Sequence, residues 1–178
     1  SIMPGAAAPI IEEDEGIPKE ISDSKPLYLL MIIPEEHYKD IPKIKPEIIK
    51  FVKETKENLW VLIKTPVDLW NYGLDSKFDM IDAVSASFPL HDSGFLGALR
   101  VANIHKSLVL RKFEKYVASY VIGGSLVRGT ASKDSDVDVF VVIDDTDVKR
   151  MPRLELLDKL RGIIYDYIRE ATALAGVK

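Results

Sequence analysis

Four residue types placed close together give this chain its chemistry. An apolar run ends at Ile122 and is followed by Gly123-Gly124-Ser125, then Leu126-Val127-Arg128-Gly129-Thr130. Ten residues separate Ser125 from Asp136, and Asp136-Val137-Asp138 leads into Val139-Phe140-Val141-Val142. A β-branched run predicts a strand over Val137–Ile143, and in a strand residues i and i+2 share a face. Asp136 and Asp138 would then project together, and two close carboxylates repel unless a cation sits between them. An all-oxygen donor set selects a hard ion, Mg²⁺ or Mn²⁺, whose remaining positions go to water and substrate phosphates. Gly123 and Gly124 let the backbone bend and approach a ligand closely. Backbone amides at Gly124 and Ser125, with the Ser125 hydroxyl, form an anion cradle. Arg128 can reach a phosphate or brace the loop.

A phosphate cradle beside paired carboxylates describes phosphoryl or nucleotidyl transfer. The stretch from Val121 to Val142 resembles the signature of the DNA polymerase beta-like nucleotidyltransferase superfamily. Gly124-Ser125, Arg128-Gly129-Thr130 and Asp136-Val137-Asp138 carry that likeness. It is most similar to the minimal nucleotidyltransferases and the archaeal CCA-adding enzymes. The resemblance implies that Gly124 and Ser125 hold a nucleoside triphosphate and that Asp136 and Asp138 bind divalent ions. It also implies transfer of a nucleoside monophosphate to an acceptor hydroxyl with release of pyrophosphate. The acceptor stays open between a protein, a tRNA end and a small molecule. The family pattern has one further part, a third carboxylate on a later strand, and no apolar strand bearing an acid follows the last helix. Asp144 and Asp145 are poor substitutes, since at ~3.3 Å per residue they lie about 20 Å along the strand from Asp138. The expectation is a core truncated at its C-terminus. The alternative is a catalytically incomplete nucleotide-binding or protein-interaction module, antitoxin-like or regulatory.

The elements that must position these residues can be read outward from them. Ala118–Ile122 and Val137–Ile143 predict two strands of a small mixed sheet in an α/β fold flanked by helices. Pro152–Leu174 predicts one helix, with Leu157, Leu160, Ile164, Tyr167, Ile168, Ala171 and Leu174 forming a stripe that packs on that sheet. Asp92 or Ser93 is the expected cap of a helix running to about Tyr116. Asp79–Phe88 has helical spacing and stops at Pro89. Further upstream, Leu27–Ile33 and Leu59–Ile63 read as buried strands, with a helix between them opened by Pro46. That strand–helix–strand unit is an N-terminal βαβ appendage, either extending the sheet or forming its own lobe. The domain reading is therefore 1–26 flexible acidic tail, 27–90 α/β appendage, and 91–178 nucleotidyltransferase-like core.

Composition closes off other chemistries. The chain has 178 residues with 47% apolar and 29% charged side chains, enough for a core without staples. It has no Cys, which excludes disulfides, thiol catalysis and iron–sulfur clusters. Three scattered histidines, His37, His91 and His105, read as core or surface residues and do not suggest a zinc site. Five of the 28 acids and one of the 24 bases fall in residues 1–20, leaving 23 of each elsewhere. The body is neutral, so binding of nucleic acid by bulk charge is not expected. Lys133, Lys149, Arg150 and Arg153 read as a solvated face, and Trp60 and Trp70 as core and rim residues. No apolar run reaches membrane-spanning length and no leader pattern is visible, so a cytoplasmic location is expected. The absence of Gln and abundance of Lys, Glu and Ile fit a hot environment.

Overall fold

The computed structural model describes residues 1–176 and, within them, leaves out the side chains of Asp145 and Asp147. The chain divides into two compact units. The first holds Ser1–Ser93 and Val127–Thr130; the second holds Gly94–Leu126 and Ala131 onward. Residues 127–130, expected within the 91–178 core, thus group with the first unit.

In the first unit, β1 (Leu27–Ile32) and β2 (Leu59–Lys64) pair in parallel, Leu27 opposite Leu59 and Ile32 opposite Lys64. The connection is α3 (Ile41–Thr55), which gives the expected βαβ unit with its own two-stranded sheet. The helix starts earlier than Pro46, at Ile41 with Pro42 in its first turn, so Pro46 lies inside it. A short 3₁₀ turn over Glu35–Asp40 leads the chain into α3 and allows that early start. After β2 come α4 (Pro66–Leu74) and α5 (Phe78–Ser85). Phe88 falls outside α5; it is exposed and its backbone pairs with Ile2.

Residues 1–26 differ from the expected tail. They form α1 (Ala8–Glu15) and α2 (Lys19–Asp23), and Met3, Ala7 and Ile11 are buried. Three of the acids that suggested a tail, Glu12, Asp14 and Glu15, are engaged in partnerships. Glu12 accepts from Ser22 Oγ (2.6 Å) and Tyr28 Oη (2.7 Å), and Asp14 accepts from Tyr72 Oη (2.7 Å). Three apolar side chains and these bonds offset the ordering entropy that an unpartnered acidic segment could not.

The second unit opens with α6 (Phe95–Phe113), whose N-cap position is held by Gly94, one or two residues later than the expected Ser93 or Asp92. β3 (Val117–Ile122) runs into α7 (Gly124–Val127), whose last residue groups with the first unit. β4 (Val139–Ile143) pairs antiparallel with β3, Ile122 opposite Val139 and Val117 opposite Ile143, with an irregularity between Val117 and Ser119. Then follow α8 (Asp145–Val148), α9 (Arg153–Arg161) and α10 (Tyr167–Ala175).

The last helix departs from its expected stripe. A π-helical turn over Gly162–Asp166 separates α9 from α10 and shifts the face presented beyond it. Ile163, Ala171 and Ala175 are buried, while Leu157, Ile164, Ile168 and Leu174 are exposed. α10 packs chiefly on α6 rather than on the sheet. Val109, Phe113 and Ile163 form a buried cluster joined by Tyr116, Val117, Val141 and Tyr167.

Candidate active site

The loop and the carboxylate are brought together by the β3–β4 ladder. Ile122 pairs with Val139, and one step further the Gly123 N–H donates to the Asp138 carbonyl at 2.9 Å. The strand proper begins at Val139, two residues later than expected, so Asp136, Val137 and Asp138 lead into it. Exposure still alternates there: Asp136 and Asp138 are exposed and Val137 is half-buried. Phe140, 63% exposed, continues the same alternation, and a Cβ on Gly123 would sit 3.2 Å from its ring.

Gly124 has φ +69°, a conformation that side-chain-bearing residues rarely adopt. A Cβ there would overlap the Asp138 carboxylate, with the carboxyl carbon 2.8 Å away. The glycine is therefore required twice, once by its backbone angle and once by the acid lying against it. Ser125 is half-buried in the first turn after the bend, and Leu126 beside it is fully buried, which anchors the turn. Arg128 is exposed and groups with the first unit.

Behind β3, Tyr120 and His105 form a buried polar contact. His105 is 4% exposed; its Nδ1 lies 2.8 Å from Tyr120 Oη and its Nε2 lies 3.2 Å from the Ile163 carbonyl. Tyr120 Oη also donates to the Ala102 carbonyl at 3.1 Å. Burial pushes the Tyr120 hydroxyl well above its ordinary pKa. One imidazole thus ties α6, β3 and the π-helical turn together. His105 is a core histidine with satisfied nitrogens.

The donor set fits a hard divalent ion with few protein ligands. Among the described residues no group of three or more His, Asp or Glu is placed to hold a metal. Asp136 and Asp138 are the two carboxylates that would face such an ion, and Mg²⁺ commonly takes one or two carboxylates and fills its shell with water and phosphate. Asp144 serves another purpose. It accepts from the Thr146 N–H (2.9 Å) and Oγ1 (2.6 Å), which holds its carboxyl below the usual range, and its own N–H donates to the Tyr116 carbonyl. It caps the turn at the far end of β4 from Asp138. The Asp145 side chain lies outside the described residues.

Sequence reasoning missed Trp70 and Pro66. Trp70 Nε1 donates to the Val127 carbonyl at 2.9 Å, and Gly129 packs against the Pro66 ring. Nothing local marks either contact, because Trp70 and Val127 are 57 residues apart. Among the described residues no helix is long and apolar enough to cross a membrane.

Comparison with known proteins adds one finding. Residues 103–174, which include Gly124, Ser125, Asp136 and Asp138, match the family model of the nucleotidyltransferase domain. That stretch runs from α6 to α10, and its mixed α/β arrangement is consistent with a nucleotidyltransferase-like fold. No curated protein and no solved structure gives a significant match to the chain.

Proposed function

We propose that the chain is a divalent-metal-dependent nucleotidyltransferase that moves a nucleoside monophosphate from a nucleoside triphosphate to an acceptor hydroxyl. The observation that carries this reading is the packing of Gly124 onto the Asp138 carboxylate, inside the stretch that matches the family model. It puts a bend suited to phosphate directly against one member of a carboxylate pair. In the reaction, the acceptor oxygen bonds to the α-phosphorus and the bond to the bridging oxygen of the β-phosphate breaks. Pyrophosphate leaves, and the hydroxyl proton passes to solvent. Asp136 and Asp138 would hold the divalent ion, which when bound neutralises triphosphate charge and makes the α-phosphorus more electrophilic. Gly124 and Ser125 orient the phosphates through backbone amides, and Arg128 offsets their charge.

The test is pyrophosphate release from each of the four ribonucleoside triphosphates with Mg²⁺ or Mn²⁺. Acceptors from the three open classes should be offered in turn: hydroxyl-bearing protein, tRNA 3′ ends and small alcohols. Release that depends on the ion and vanishes in both Asp136→Asn and Asp138→Asn supports the reading. Nucleotide binding with no release for any acceptor identifies the incomplete binding module instead. Neither binding nor release rejects both.

A further inference from the structure

Thr65 ends β2 and opens α4 with a reciprocal cap. The Asp68 N–H donates to Thr65 Oγ1 at 3.3 Å, and the Thr65 N–H donates to Asp68 Oδ2 at 2.7 Å. Two donors that a helix start leaves orphaned are thereby satisfied. Thr65 is 1% exposed and Pro66 is also buried, so this turn is firmly seated in the first unit.

Pro66 and Trp70 are four residues apart and share a helix face. Both meet residues at the end of α7 and just beyond it, Val127 and Gly129. The Trp70 indole N–H reaches the Val127 carbonyl, one of the carbonyls that the end of α7 leaves without a helical partner. Gly129, at φ +71°, lies so close to Pro66 that a Cβ would sit 2.8 Å from the proline Cβ and closer still to Cγ. Arg128 is the residue between these two seats. The glycine of Arg128-Gly129-Thr130 is thus explained by its fit on a proline of the first unit.

We infer that Trp70 is a positioning residue for nucleotide binding. Together with Pro66 it fixes the backbone on both sides of Arg128, all within one compact unit. This rests on the nucleotidyltransferase reading above, and it gives residues 27–90 a role. An indole is a donor only, so replacing Trp70 with Phe keeps a ring and removes the one bond to Val127.

The experiment compares wild type, Trp70→Phe, Arg128→Ala and the double variant, with Mg²⁺–ATP as the probe. Amide exchange is followed without nucleotide, and KM and kcat are measured with it. Losing one net hydrogen bond should speed exchange in residues 126–131 by about 3- to 10-fold and raise KM by a similar factor, with kcat within about twofold. In the Arg128→Ala background, Trp70→Phe should leave KM unchanged, because the residue it positions is gone. Gly129→Ala attacks the same seat from the other side and should give the same signature. Unchanged exchange, a KM effect that persists without Arg128, or a fall in kcat alone overturns the proposal. A wild-type chain that binds no Mg²⁺–ATP overturns the positioning role together with the nucleotide reading. Faster exchange in that case would still identify Trp70 as the anchor of the segment, which separates the two failures.

Discussion

The carboxylate of Asp138 occupies the space that a Cβ on Gly124 would need. The contact joins the bend after β3 to the start of β4, and the Gly123 N–H bond to the Asp138 carbonyl holds both in register. Gly124→Ala would force the acid aside and place a side chain at φ +69°. Displacing a reacting group by about an ångström can cost on the order of 100-fold in rate. Gly124→Ala should therefore reduce metal-dependent pyrophosphate release by about 100-fold or more. Thermal melting should show only a modest loss of stability, because Gly124 is half-buried and in a short turn. Release at the wild-type rate would mean that Asp138 does its work from another position.

His105 makes a second, purely structural prediction. Its imidazole is buried between the Tyr120 hydroxyl and the Ile163 carbonyl. His105→Phe retains a ring of similar size and removes a partner from the Ile163 carbonyl, while the Tyr120 hydroxyl keeps only its bond to the Ala102 carbonyl. An unsatisfied buried polar group costs about 1–3 kcal/mol, so denaturant unfolding should show about 2 kcal/mol of destabilisation. Tyr120→Phe in the His105→Phe background should then add less than it does alone, since the pair is already broken.

These two sites mark what the sequence reveals and what it hides. The approach of Gly124 to Asp138 was legible because both lie in one short stretch and the strands around it are continuous apolar runs. The βαβ unit was legible for the same reason: Leu27–Ile32 and Leu59–Lys64 are apolar blocks bounded by proline. Residues 1–26 were not legible. Their acids pair with Ser22, Tyr28, Tyr72 and Lys77, and the last two lie far along the chain. Local composition cannot report a partner 58 or 63 residues away. The C-terminal stripe holds only in part: Ala171 is buried as expected, but a π-helical turn shifts the face beyond it, Ile168 and Leu174 are exposed, and no residue type announces that turn. Trp70 was hidden by the same non-locality, with its partner being a backbone carbonyl that has no sequence signature.

The N-terminal acids also give stability a pH dependence. Asp14 accepts from Tyr72 Oη at 2.7 Å and from Lys77 Nζ at 2.5 Å, and Lys64 Nζ lies 3.9 Å away. Burial alone would raise the Asp14 pKa. The bonds to Lys77 and Tyr72 and the two lysine charges outweigh it and hold the carboxyl below its ordinary value. Burial pushes Tyr72 up to about 12, and the bond to Asp14 holds Lys77 above its usual range. These partners therefore keep their protonation states from acid to mildly alkaline pH, and Asp14 is the group that titrates. A depressed carboxyl stabilises the fold fully above its unfolded pKa, near about 3.9, and the contribution is lost as pH falls through the lower folded value. Asp14→Asn keeps the side-chain shape and one acceptor oxygen and removes the charge. It should cost about 1.5–3 kcal/mol at pH 7, the range for hydrogen bonds to a charged group. As pH falls through the lowered folded value the difference between the two proteins should shrink towards zero, because the wild-type carboxyl is then protonated as well. Urea unfolding of both proteins at a series of pH values reads this directly. A difference that stayed constant across that series would show that the carboxylate charge contributes nothing, and that α1 is held by the burial of Met3, Ala7 and Ile11 alone.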